Sequence, residues 1–246
     1  AESWSSSPDS VPPLREGKQE DGDKEEQRKH EERVQKALAD LKSALREKEP
    51  RLRAAGVDRW KTLDDERVAK ALRPALEDKT PEVRDAAISA LRWMKNDGAL
   101  EELHRFFKRA KKLRKDSEAF ALLLRAIGQH ADASSIARLT DALQADPDKA
   151  VMRARVYGLA KIRTVESIEA IFQILKSIDK DKVQKYMGEM RIALMLLTKE
   201  DFGVAQQEWR SWWKDARRGF EIAEKIPRLP KRELAHWNRF WGNEQE

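Results

Sequence analysis

A pattern in this chain returns at nearly one interval. Pro50 is followed by Leu52, Arg53, Ala55, Val57 and Trp60, and Pro81 by Val83, Arg84, Ala86, Ile88 and Leu91 at the same offsets. Weaker copies start at Ser117, with Ala119, Leu122, Leu124 and Ile127, and at Lys149, with Val151, Ala154, Val156 and Leu159. The steps are 31, 36 and 32 residues. Self-similarity in that range belongs to stacked helix pairs, because one pair cannot bury its apolar face alone and must lean on its neighbours. The expectation is an all-α, right-handed solenoid of about five helix pairs.

Composition agrees with helix. Charged residues make up 38% of the chain, only 10 positions are Gly, and β-branched runs are absent. No run of 18 uncharged apolar residues exists to span a membrane. With no cysteine, neither disulfides nor thiolate metal sites can form, and the count does not decide the compartment. The chain opens on Ala1 and a Ser/Pro-rich AESWSSSPDSVPP, which favours an exported, periplasmic or extracellular setting over a cytoplasmic one.

Residues 1–23 hold Pro8, Pro12, Pro13, Gly17 and Gly22 with few apolar side chains, and are expected to form a disordered acidic arm. Residues 24–203 carry the helical repeats. Val34, Ala37, Leu38, Leu41, Ala44 and Leu45 form the first amphipathic stripe, and Pro74 should kink a later helix. Asp64 or Asp65, Thr80 and Asp132 supply helix caps. Residues 204–226 read as a Trp-rich capping helix, since Trp209, Trp212, Trp213, Ala216 and Phe220 follow the spacing of one buried stripe. That spacing favours a cap over an aromatic ligand site. Residues 227–246 form a basic and aromatic tail in which Leu234, Trp237 and Trp241 share a face that is expected to dock back on the solenoid.

The segment LEDKTPEVRDAAISAL, Leu76 to Leu91, resembles the HEAT-repeat consensus, in which Pro and then a Val-Arg pair open the second helix of each pair. The resemblance implies that Arg84 bonds across to a neighbouring inter-helix turn. Arg53 fills the same slot, and Phe120 and Met152 fill it in the later repeats. A second stretch, LTKEDFG from Leu197 to Gly203 followed by Trp209, Trp212 and Trp213, is similar to the closing segment of bacterial HEAT-repeat proteins of unassigned function, with Lys199 where that pattern carries Gly. Neither resemblance implies catalysis.

Enzyme motifs fail on inspection. His30-Glu31-Glu32-Arg33-Val34 begins like a zinc-protease helix but has Val34 where the second His is needed, and no phosphate loop or nucleophile elbow occurs. No cofactor or metal is expected. The candidate surface is the outward side of the second helices, which usually line the concave face of such solenoids. Register places Arg125 and Tyr157 there in one row and Arg153 in another, with Arg92 and Lys161 nearby, as partner-binding residues. The expected activity is that of a non-enzymatic scaffold for another protein.

The alternative is a nucleic-acid or other polyanion binder. Its densest signal is the run from His104 to Lys115, where Arg105, Lys108, Lys111, Lys112 and Lys115 are expected on the solvent side of one helix whose buried stripe includes Phe106 and Leu113. Residues 1–32 carry 5 basic and 10 acidic groups, so the overall +6 leaves +11 on the remainder.

Overall fold

The computed structural model describes the backbone of residues 16–242 and the side chains of 22–242. Most of the expected arm, residues 1–15, lies outside the described residues. Helix α1 spans Glu16–Ala44, so residues 16–23 continue a helix where the sequence reading placed arm. Val34, Ala37 and Leu41 anchor α1 in the core, and extending an anchored helix through Glu, Lys and Gln needs no new nucleus.

Five helix pairs follow one another. Helix α2 (Pro50–Trp60) completes the first pair, and α3 (Glu66–Ala71), α4 (Arg73–Leu76) and α5 (Pro81–Trp93) make the second. The break between α3 and α4 falls just before Pro74, whose ring and missing N–H cannot continue a helix. The third pair is α6 (Asp97–Arg109) and α7 (Ser117–Gln129), the fourth α8 (Ile136–Leu139) and α9 (Lys149–Ile162), the fifth α10 (Val165–Ser177) and α11 (Met187–Thr198). The first four second helices, α2, α5, α7 and α9, each start at the residue that heads a repeat copy. No strand occurs among the described residues.

The second helices pack neighbour against neighbour from α2 through α5, α7 and α9 to α11, while α1, α3 and α6 form a second layer behind them. This is a solenoid, and its core runs unbroken along the stack. The tightest crossing is α7 on α9. A Cβ placed on Gly128 would lie 2.7 Å from the Gly158 Cα, so only glycine permits the approach.

Capping follows side-chain chemistry. Asp65 accepts from the Arg67 N–H at 2.8 Å and Asp132 from the Ser134 N–H at 2.8 Å. Thr80 does not cap α5. Its hydroxyl instead accepts from Arg53, which also forks onto Asp78 at 2.7 and 3.0 Å and reaches the Glu47 and Lys48 carbonyls. The cross-turn bond that the resemblance implied is therefore made by Arg53. Among the described residues Arg84 makes none: its nearest acid is Asp85 at 3.8 Å, and its buried Nε has no hydrogen-bond partner there.

Beyond the fifth pair, α12 (Gln206–Ala216) closes the stack. Trp209 and Trp213 are buried, the Trp209 indole N–H donates to the Gly203 carbonyl at 2.9 Å, and Trp213 stacks on Phe172 of α10 at 6.0 Å. The cap helix is shorter than the expected 204–226, since an irregular stretch follows Ala216, yet Phe220 still meets both Trp212 and Trp213. A last helix, α13 (Lys231–Trp241), then returns to the row of second helices. No helix among the described residues is long and apolar enough to cross a membrane.

Candidate functional site

Pro230 opens α13, and Trp237, Phe240 and Trp241 fall at i, i+3 and i+4, one face of the helix. That face lies on α9. The Tyr157 ring meets Trp237 and Phe240, each at 5.1 Å, and its hydroxyl lies 3.0 Å from His236 Nδ1. Trp241 is fully buried. Leu234, expected on the same face, is instead 43% exposed.

Polar groups hold the helix at both ends. Near its start, Arg191 of α11 forks onto Asp201 and donates to Glu233 at 2.8 Å. At its finish, Arg92 of α5 donates to the Trp241 carbonyl at 2.6 Å, Arg125 of α7 lies 4.9 Å over Phe240, and Lys161 Nζ of α9 sits 4.3 Å from the Trp241 ring. Cations there oppose the negative end of the α13 dipole.

Four of the expected partner residues, Arg92, Arg125, Tyr157 and Lys161, thus converge as register implied, but beneath α13 and not in open solvent. Arg92 and Tyr157 are buried outright. The fifth, Arg153, lies to one side and pairs with Glu189 of α11 at 3.0 Å. Burial lowers Arg92 to about 10, helped by neighbouring Arg125, and lowers Lys161 to about 8, helped by Arg92. Burial also raises the Tyr157 hydroxyl and lowers Arg125 and His236. Beside the helix a cleft of about 340 Å³ stays open, lined by Lys149, Tyr157, Glu189, Arg191, Arg232 and His236 among others.

Glu189, Arg191, Glu233 and His236 escaped the sequence reading. Only the i, i+3, i+4 placement of Glu233, His236 and Trp237 hinted that they act together.

The basic run is divided. Helix α6 ends at Arg109, and Leu113–Lys115 forms a separate 3-10 turn, so the run is not one helix as expected. His104 turns inward to Ser135 at 2.9 Å, Arg109 bonds Glu77, and Arg114 bonds Asp141 while lying over Phe107. Lys108, Lys111, Lys112 and Lys115 are exposed, as is Arg105, which rests 3.5 Å from buried Glu102.

The other histidines also have structural partners: His30 faces Asp65 and His130 faces the Leu91 carbonyl. Among the described residues no group of three His, Asp or Glu side chains is placed to hold a metal.

The family model for HEAT repeats matches residues 38–122, from the middle of α1 into α7. Together with the all-helical stack, the match supports HEAT-type repeats over that segment, and such repeats generally mediate protein–protein interaction. The second resemblance, at residues 197–213, lies outside the matched segment. No curated protein matches the chain.

Proposed function

We propose that the chain is a non-enzymatic protein-interaction scaffold whose partner docks on the row of second helices, the face that α13 covers. One observation carries this reading. Residues from three successive repeats, Arg92, Arg125, Tyr157 and Lys161, meet a single amphipathic helix, which is the helix-in-groove mode of peptide recognition. Tyr157 supplies an aromatic anchor, and Arg191 supplies a charge that selects an acid at the start of the docked helix.

A labelled peptide of residues 228–242 tests the reading. It should bind the full chain carrying Trp237→Ala and Trp241→Ala, in which α13 is released, far more tightly than the wild-type chain, where the face is already covered. Adding Tyr157→Ala should abolish binding. No saturable binding to the released chain would overturn the proposal.

The second reading is polyanion binding. It is favoured by one feature, the exposed edge of Arg105, Lys108, Lys111, Lys112 and Lys115 at the α6–α7 turn.

A further inference from the structure

Three basic side chains, Arg92, Arg125 and Lys161, gather round the last turn of α13. Among the described residues no carboxylate bonds or pairs with any of them. Among these residues the countercharge is the helix end alone, worth roughly half an elementary charge. Most of the positive charge is therefore unmatched by any described residue, in a place where burial makes that unfavourable.

The buried donors point the same way. Arg92 is only 7% exposed, and among the described residues its Nε has no hydrogen-bond partner; the Arg125 Nε and the fully buried Trp241 indole N–H also lack one there. Arg125 Nη2 comes within 3.8 Å of where a Cβ on Gly242 would sit, so the charge extends past the helix end. Next to Arg92 a pocket of about 320 Å³ is lined by Trp93, Met94, Lys95, Gln129 and His130. The Arg92 guanidinium carbon lies 4.4 Å from the centroid of the Trp93 ring, a cation–π contact beside that pocket.

We propose that Arg92, Arg125 and Lys161 form a binding site for a compact oxyanion, a carboxylate or a phosphate group, presented just beyond the end of the helix docked on the row. This deepens the scaffold reading and rests on it: the partner would be an aromatic amphipathic helix followed closely by an acidic group. The anion supplies acceptors to the unpartnered N–H groups and countercharge to the cations, and charge-assisted bonds of this kind are the stronger class. Lys108, Lys111, Lys112 and Lys115, by contrast, are fully solvated and offer no enclosed donors.

Thermal melting of the full chain in sodium phosphate and in sodium acetate, each against sodium chloride at matched ionic strength, tests the site. At least one oxyanion should raise the melting temperature saturably. Binding by phosphate alone identifies a phosphate site, and binding by acetate a carboxylate site. Arg125→Gln and Lys161→Gln should each weaken the effect about tenfold or more, whereas Lys161→Arg and the double change Lys111→Gln with Lys112→Gln should retain it. If neither oxyanion acts beyond chloride, or if Arg125→Gln and Lys161→Gln respond like the wild type, the site does not exist. That failure leaves the peptide-binding result untouched, so the two readings stand or fall separately.

Discussion

Lys199 closes α11 at φ 68°, in the left-handed region where a Cβ is disfavoured and glycine is the usual helix stop. Lys199→Gly should therefore stabilise the chain by about 1 kcal/mol, measured as a rise in the denaturation midpoint. Gly128 behaves in the opposite way. Its missing Cβ would strike the Gly158 backbone, so Gly128→Ala should force α7 from α9 and lower stability by ~1–3 kcal/mol. Trp209 combines full burial with a hydrogen bond to Gly203. Trp209→Ala should cost ~3–5 kcal/mol, and hydrogen exchange should show the loss first in α10 and α11, since each unit of a solenoid is held mainly by its neighbours. Unchanged exchange there would mean that the tryptophan does not close the stack.

Helix α6 and its following turn carry the charge that most invites a nucleic acid. A duplex titrated onto the wild type and onto Lys108, Lys111, Lys112 and Lys115 all changed to Glu decides whether that edge binds. Polyanion binding should appear at low salt, vanish in the variant and weaken steeply as salt rises; no binding at low salt removes the alternative. Much at this scale was legible in the sequence. Pro50, Pro81, Ser117 and Lys149 head second helices, and Val165 starts α10, because local spacing and caps report what a helix does with its immediate neighbours. Asp64 shows where local signals stop: offered as a cap for its own helix, it accepts from the backbone of Lys95 and Asn96 in the next unit. The site was half legible. Register put Arg125 and Tyr157 in one row with Arg92 and Lys161 nearby, but their cover comes from α13, and Tyr157 and His236 are 79 residues apart. No spacing rule links positions that far apart. Leu52, a position of the repeat pattern, is 49% exposed, because the pattern sets a position's side of the helix and not whether another unit lies over it.

For the whole molecule, acid is the informative stress. His104 is held at about 4, chiefly by burial and then by neighbouring Arg138, and burial lowers His130 and His236 as well. A histidine whose folded value lies below its unfolded one favours folding as the neutral ring. Its contribution is complete above the unfolded value of 6.5 and is lost as pH falls toward about 4. Melting temperature should decline across that window, and His104→Asn, which keeps a polar group beside Ser135 without a titrating ring, should flatten the decline. The central claim is that α13 lies on the row of second helices, and the chain's lack of cysteine makes it directly measurable. Lys149 and Arg232 line the same cleft from α9 and α13. With cysteines placed at these two positions, a short bis-maleimide should join them within one chain at high yield, detected by mass. The pair Lys111 and Arg232, treated identically, should remain unjoined. Equal yields from the two pairs would contradict the account, because α13 would then have no fixed place on the solenoid.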